Sequence, residues 1–266
     1  MKITFLGTAN ARGIPVYGCT CRICERARQN PFFRRHCACL LLELDGTTIA
    51  IDAGRQDLSD FVAPETLSGI LLSHFHSDHC HGLHPFAWSR NARTKVYAPE
   101  PPPATSDFSK FQGSLEFEQV SHRTPFNLSS GKVTPVGLSH GCPALGYCIE
   151  TKDARFAYIS DTNGVPGDTL AFLKEWQPQA LAIDSNDCGQ VKTNPTHTNF
   201  DQILEVSSSL PNTHIYLIHL SDRSEAWLEE NFQAQPKNIF TTRDHTVLEL
   251  PSLTYRQPDE LIIPGK

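Results

Sequence analysis

Short apolar runs rich in β-branched residues recur along the chain, and several of them end on a residue able to bind metal. Lys2 to Gly7, Cys39 to Leu44, Thr48 to Ile51 and Gly69 to Ser73 are predicted strands, with Asp45-Gly46 as a hairpin turn between the second and third. Further strands are predicted over Lys95 to Ala98, Leu115 to Val120, Lys132 to Leu138, Gly146 to Glu150, Ala154 to Ile159, Ala180 to Ile183, His214 to Ile218 and Val247 to Leu250. Apolar spacing of three and four predicts helices over Cys21 to Gln29, His81 to Trp88, Asp168 to Trp176, Phe200 to Leu210 and Glu225 to Phe232. This order is neither a hairpin meander nor strict strand-helix alternation. Two packed sheets flanked by helices, an α+β arrangement, fit it better than a doubly wound sheet.

Composition adds boundaries to that picture. The 266 residues are 39% hydrophobic and 20% charged, and no Ser/Gly linker or charge block divides them, so one compact domain is expected. The Pro-rich stretch Pro99 to Pro103 is read as a surface loop. No apolar run approaches the roughly 20 residues that span a bilayer, and Met1 to Leu6 lacks a signal-peptide core. The expectation is a soluble, cytoplasmic protein with no membrane partner. A formal net charge of −6 offers no general attraction to a polyanion, so no long nucleic acid is expected as partner. Nine cysteines, an odd number, argue for thiols rather than a disulfide framework. Those from Cys37 onward sit among apolar neighbours and are expected to fill core space. Oligomeric state is not legible; a homodimer is compatible with everything above.

The densest chemistry lies in Ser73-His74-Phe75-His76-Ser77-Asp78-His79. Two histidines two residues apart point to the same side of an extended chain, so His74 and His76 can chelate one ion. Asp78 and His79 follow where the chain must turn into a helix, and that turn can aim both at a second ion. Imidazole and carboxylate donors without thiolate suit zinc, manganese or iron. Three further apolar runs end on donors: Leu138-Ser139-His140, Ile159-Ser160-Asp161 and Leu217-Ile218-His219. Taken singly, each also fits a structural histidine or a helix-capping aspartate.

The order His-x-His-x-Asp-His, His, Asp, His resembles the metallo-β-lactamase superfamily of αββα sandwiches. The resemblance implies that His74, His76 and His140 hold one metal, that Asp78, His79 and His219 hold the other, and that Asp161 bridges them. Phe5-Leu6-Gly7-Thr8 and Ile51-Asp52-Ala53-Gly54 also look like early strand ends of that superfamily, with Asp52 bracing the site through a hydrogen bond rather than binding metal.

Near the N-terminus, Cys19-Thr20-Cys21-Arg22-Ile23-Cys24 packs three thiols into six residues, a density that favours a structural zinc with a fourth ligand from elsewhere. With Gly13-Ile14-Pro15 and Gly18 before it and Phe33-Arg34-Arg35 after it, the run is similar to the PhnP proteins, cyclic phosphodiesterases associated with carbon–phosphorus lyase. The likeness extends through Ser160-Asp161-Thr162, Thr196-His197 and Glu225-Ala226-Trp227-Leu228. It implies a single domain over residues 1–250 with a zinc-binding loop at about 13–30, and leaves 251–266 as a C-terminal tail. In that family a histidine three residues beyond the last active-site histidine completes the zinc; here that position is Asp222, and a carboxylate can serve.

The resemblance implies hydrolysis of a small phosphorylated sugar, 5-phosphoribosyl 1,2-cyclic phosphate, to ribose 1,5-bisphosphate, through a hydroxide bridging two divalent ions (manganese or zinc, with iron or nickel also admitted). Asp78 and Asp161 would position the nucleophile and His197 would protonate the leaving group. Arg34, Arg35, Ser121-His122-Arg123 and Arg223 are candidate anchors for a second phosphate. His81 and His84 are read as bracing or core residues. Three other readings share these residues: a tRNA-processing or other nucleic-acid phosphodiesterase, a thioester or lactone hydrolase, and a metal-binding or redox scaffold without activity.

Overall fold

The computed structural model describes residues 1–189, 195–231 and 236–258. Along the first half run β1 (Lys2–Gly7), α1 (Arg22–Gln29), β2 (Cys39–Leu44), β3 (Thr47–Ile51), β4 (Leu67–Leu71), α2 (Ser77–Cys80), α3 (His84–Ala87), β5 (Thr94–Ala98), α4 (Asp107–Lys110) and β6 (Leu115–Gln119). The second half holds β7 (Phe126–Leu128), β8 (Gly131–Gly137), β9 (Leu145–Glu150), β10 (Arg155–Ile159), α5 (Gly167–Trp176), β11 (Ala180–Asp184), α6 (Phe200–Ser209), β12 (His214–Ile218) and α7 (Asp222–Asn231). Three short strands close the chain: β13 (Ile239–Thr241), β14 (Thr246–Glu249) and β15 (Thr254–Arg256).

Two mixed sheets result, an eight-stranded one in the order β15-β14-β1-β2-β3-β4-β5-β6 and a seven-stranded one in the order β13-β12-β11-β10-β9-β8-β7. Period-two alternation explains how they stack. On β10, Phe156 and Tyr158 face the other sheet and pack with Phe5, Leu42, Ile51, Tyr147 and Tyr216, while Ala157 and Ile159 face the opposite way onto Leu173, Ile203 and Val206 of α5 and α6. On the far side of the first sheet Leu41, Ala50, Ile70 and Val96 meet Leu83, Phe86 and Phe108. The layers are therefore helix, sheet, sheet, helix: the metallo-β-lactamase fold.

The helix expected over His81 to Trp88 is broken. A turn of α2 comes first, a 3-10 turn spans His81–Leu83, and α3 restarts with Pro85 in its first turn, where a missing N–H costs nothing. Gly82 is wedged so tightly that an added Cβ would lie 2.0 Å from the Arg55 carbonyl oxygen, so this stretch packs by backbone contact. Strands β7, β13 and β15 and the four-residue α4 are too short to carry a periodic signal. β15 lies within the 251–266 segment and pairs with β14, while residues 259–266 are outside those described. Phe232, the expected end of the last helix, is likewise outside them. Among the described residues, no helix is long and apolar enough to cross a membrane.

Candidate metal centre

The chain leaves β4 with its backbone fixed: the Leu72 N–H donates to the Tyr97 carbonyl at 2.8 Å, and the Ser73 N–H to Asp52 Oδ1 at 2.7 Å. It stays extended to His76 (φ −67°, ψ 148°) and then turns into α2. His74 and His76 stand with ring centroids 4.4 Å apart. His140, just beyond β8, brings Nε2 to 3.2 Å from His76 Nδ1, and its own Nδ1 faces the Thr196 carbonyl at 3.0 Å. Cys142 joins them, with Sγ 3.8 Å from His76 Nε2. One donor atom from each of His74, His76, His140 and Cys142 lies within 4.8 Å of the others.

Alongside is a second set: Asp78 and His79 on α2, Asp161 beyond β10 and His219 beyond β12. Asp78 Oδ2 is 3.3 Å from both His79 Nε2 and His219 Nε2. Asp161 stands between the sets, with Oδ1 3.3 Å from His219 Nε2 and Oδ2 3.3 Å from His79 Nε2 and 4.0 Å from His74 Nε2. His219 is held at φ 58° and Asp52 at φ 55°, left-handed conformations that cost L-residues about 1–2 kcal/mol each. Both residues sit where a strand stops and its side chain must turn toward the site.

Asp52 is fully buried and accepts four hydrogen bonds: from the Ser73 N–H, Ser73 Oγ (2.9 Å), His79 Nδ1 (2.7 Å) and Tyr158 Oη (2.7 Å). It thereby turns the opposite nitrogen of His79 toward Asp78 and Asp161. Asp184 does the same from β11. Its Oδ2 lies 2.9 Å from His197 Nδ1 and its Oδ1 3.6 Å from His219 Nδ1. Asp184 escaped the sequence reading because the predicted strand stopped at Ile183. One residue more and it would have matched the strand-end pattern of His140, Asp161 and His219.

The electrostatics follow from burial and neighbours. Burial pushes the His74 pKa well below its ordinary value, and the nearby His79 adds to that. Burial opposes charge on His79 too, but the pull of Asp161 and Asp52 overrides it and holds the pKa well above the ordinary value. For His219, burial is outweighed by Asp161 and by Asp184, and the pKa rises to about 10. Asp161, opposed by burial yet facing His219 and His79, is held well below the usual carboxylate range. At His197, burial yields to the Asp184 hydrogen bond and the pKa is raised.

Whether these residues suit a cation can be tested on their unpaired atoms. His74 Nε2 is buried, lacks a hydrogen-bond partner and faces this cluster. A buried ring nitrogen left without a partner costs about 1–3 kcal/mol, and a cation is the partner that would satisfy it. The donor set fits divalent metal.

The other predicted site also assembles. Cys19 Sγ and Cys21 Sγ each lie 3.6 Å from Asp222 Oδ2, and with Cys24 the four donors fall within 4.8 Å. Cys21 caps α1 and Asp222 opens α7, so the cluster sits where two helices begin. Burial pushes the Cys24 thiol up to about 12. Of the later cysteines, Cys39, Cys80, Cys148 and Cys188 are buried as expected, but Cys37 and Cys142 are half-exposed.

The phosphate-anchor candidates fare unevenly. Arg35 is buried and committed to Glu225 (2.6 Å), Thr8 and the Thr242 carbonyl. His122 accepts from the Gly137 N–H, and Arg123 lies over the Phe172 ring. Arg223 and Arg34 are exposed. Arg34 lines a cleft of about 460 Å³ with Arg12, His36, Cys37 and Arg55. His84 is exposed beside Trp88 rather than in the core.

Residues 47–220 match the family model described as a beta-lactamase superfamily domain. The chain belongs to this superfamily. The superfamily member described here is 25% identical to an octanoyltransferase of Porphyromonas gingivalis over 266 residues, 92% of this chain and 50% of that protein. It is 24% identical to a ribonuclease Z of Pyrococcus horikoshii over 173 residues, 58% of this chain and 50% of that protein. The chain thus spans about half the length of these curated relatives. Among solved structures, a new diphosphatase from the PhnP family superposes with a TM-score of 0.77 at 25% identity, covering 94% of this chain and 97% of that one.

Proposed function

We propose that this superfamily member is a phosphodiesterase with two divalent ions. His74, His76 and His140 would hold one ion and Asp78, His79 and His219 the other, with Asp161 between them. The substrate proposed is 5-phosphoribosyl 1,2-cyclic phosphate, opened to ribose 1,5-bisphosphate. The observation that carries this is the position of Asp161, whose Oδ1 and Oδ2 lie beside His219 and His79 of one donor set while Oδ2 also comes to 4.0 Å from His74 of the other. Two such ions supply an ionised water near neutral pH and neutralise charge on a phosphoryl group.

The chain's own residues supply the rest. Asp78 and Asp161 orient the attacking water. His197 is fixed through Nδ1 by Asp184, which leaves Nε2 to deliver a proton to the leaving oxygen, and the same carboxylate keeps the ring protonated to higher pH. Cys19, Cys21, Cys24 and Asp222 would hold a structural zinc. The likeness to a PhnP-family diphosphatase supports a small phosphorylated substrate. A second reading, cleavage of precursor tRNA, is favoured by the ribonuclease Z relatives, though a net charge of −6 works against a polyanion.

Purified protein assayed on the cyclic phosphate, bis-p-nitrophenyl phosphate, a thioester and precursor tRNA separates these readings. Turnover of the cyclic phosphate is expected to exceed all others. Turnover of tRNA alone would favour the second reading, and turnover of the thioester alone would overturn both.

A further inference from the structure

We infer that Cys142 supplies a fourth donor, beside His74, His76 and His140, to a zinc ion. The inference rests on the assignment of those three histidines to metal under Proposed function. Donors on a tetrahedral zinc, at about 2.0–2.3 Å from the ion, stand roughly 3.3–3.6 Å apart. Here one donor atom from each of the four residues already lies within 4.8 Å of the others; the His76 ring turns Nδ1 to 3.2 Å from His140 Nε2 and Nε2 to 3.8 Å from Cys142 Sγ, and whichever of its two nitrogens binds, the other three donors surround it.

A second observation points to the same ion. His74 Nδ1 is taken up by Ser73 Oγ at 3.0 Å, which leaves Nε2, buried and with no hydrogen-bond partner, as the nitrogen His74 can offer to the cluster it belongs to. The thiol is also held in place. Its loop is pinned where it leaves β8 and enters β9, by Leu138 N–H to the Ala144 carbonyl (3.2 Å) and Leu145 N–H to the Ser73 carbonyl (3.0 Å), and Asn163 N–H donates to the Ser139 carbonyl (2.8 Å). The second of these bonds ties the loop to the residue preceding His74.

Ligation replaces the S–H bond with an S–metal bond and releases one proton to solvent, with no change of oxidation state. Two consequences follow. A thiolate selects zinc over manganese at this position, because manganese favours oxygen donors. With Asp161 also facing this cluster, Cys142 would fill a position that a phosphoryl oxygen needs, so that oxygen would have to displace the thiolate or enlarge the shell of donors.

The test uses metal-free full-length protein loaded with cobalt, zinc or manganese, comparing wild type with Cys142→Ser. Thiolate-to-cobalt absorption should fall in the variant by the share of one thiolate, the remainder coming from Cys19, Cys21 and Cys24. Zinc should bind the variant at least roughly tenfold more weakly, with manganese unchanged. Should the variant fail to fold, alkylation of wild-type Cys142 read by mass spectrometry serves instead, with zinc and not manganese protecting it. Identical spectra and zinc affinity, or equal alkylation with and without zinc, would overturn the inference. His74→Ala separates the two levels. If it removes no zinc, the assignment of the three histidines fails; if it removes zinc that Cys142→Ser retains at full affinity, only the role of Cys142 fails.

Discussion

Replacing Asp52 with asparagine changes a single atom and should disturb the centre through His79 alone. Asp52 Oδ2 receives hydrogen bonds from Ser73 Oγ, Tyr158 Oη and His79 Nδ1, while Oδ1 receives the Ser73 N–H. An asparagine keeps the Oδ1 bond and presents N–H groups where Oδ2 stood. The two hydroxyls can rotate to accept. The imidazole can accept only by moving its proton from Nδ1 to Nε2, which removes the lone pair that Nε2 offers beside Asp78 and Asp161. The global cost is that of one or two impaired buried hydrogen bonds, about 1–3 kcal/mol. At the metal the cost is larger in kind, since losing the partner that orients a ligand histidine weakens binding roughly 10- to 100-fold. Zinc titration against a competing chelator, with thermal unfolding in excess chelator as control, reads the two effects separately. Tyr158→Phe, which removes one donor to Asp52 Oδ2 and leaves the His79 tautomer alone, should bind zinc nearly as wild type does. An Asp52→Asn variant of unchanged zinc affinity would refute the role given to the His79 tautomer.

His197→Ala should lower kcat about 10²- to 10⁴-fold with metal content unchanged by elemental analysis; a matching loss of metal would make His197 a ligand instead. Cys21→Ser should lose one equivalent of zinc, and full retention would remove the loop site. Glu225 pairs with Arg35 in the core and with Arg26 and Arg243 at 3.3 Å, so Glu225→Ala should cost about 3–5 kcal/mol in urea unfolding, and Arg35→Met with Glu225→Leu much less. Burial opposes charge on Glu229, but Arg26 and Arg22 outweigh it and hold its pKa below the ordinary 4.5. Its contribution is therefore complete above pH 4.5 and is lost as pH falls through the lower folded value, so the stability gap to Glu229→Gln should close in acid.

The fold was legible because strand burial follows chemistry that periodicity records: β1, β2 and β12 begin and end where the apolar runs do. The metal cluster was legible because its donors follow apolar strands closely. Two classes of residue were not. Asp184 occupies the last position of a strand that reads as purely apolar, and Cys142 resembles any small hydrophobe until the loop folds beside His76. Arg35 shows the reverse error. A cation beside another cation looks like an anion site in sequence, yet its partner, Glu225, lies 190 residues away.

Every donor of the centre emerges from a strand end, but not of one sheet. His74, His76, Asp78 and His79 follow β4, while His140, Asp161 and His219 follow β8, β10 and β12. Ions seated there would act as rivets across the mouth of the sandwich, beside the Leu145 N–H to Ser73 carbonyl bond that joins one sheet to the other. Loaded protein should therefore resist splaying at this rim, its two sheet ends exchanging amide hydrogens as one slow unit, whereas chelation should let each end breathe at its own pace and expose the rim to proteases.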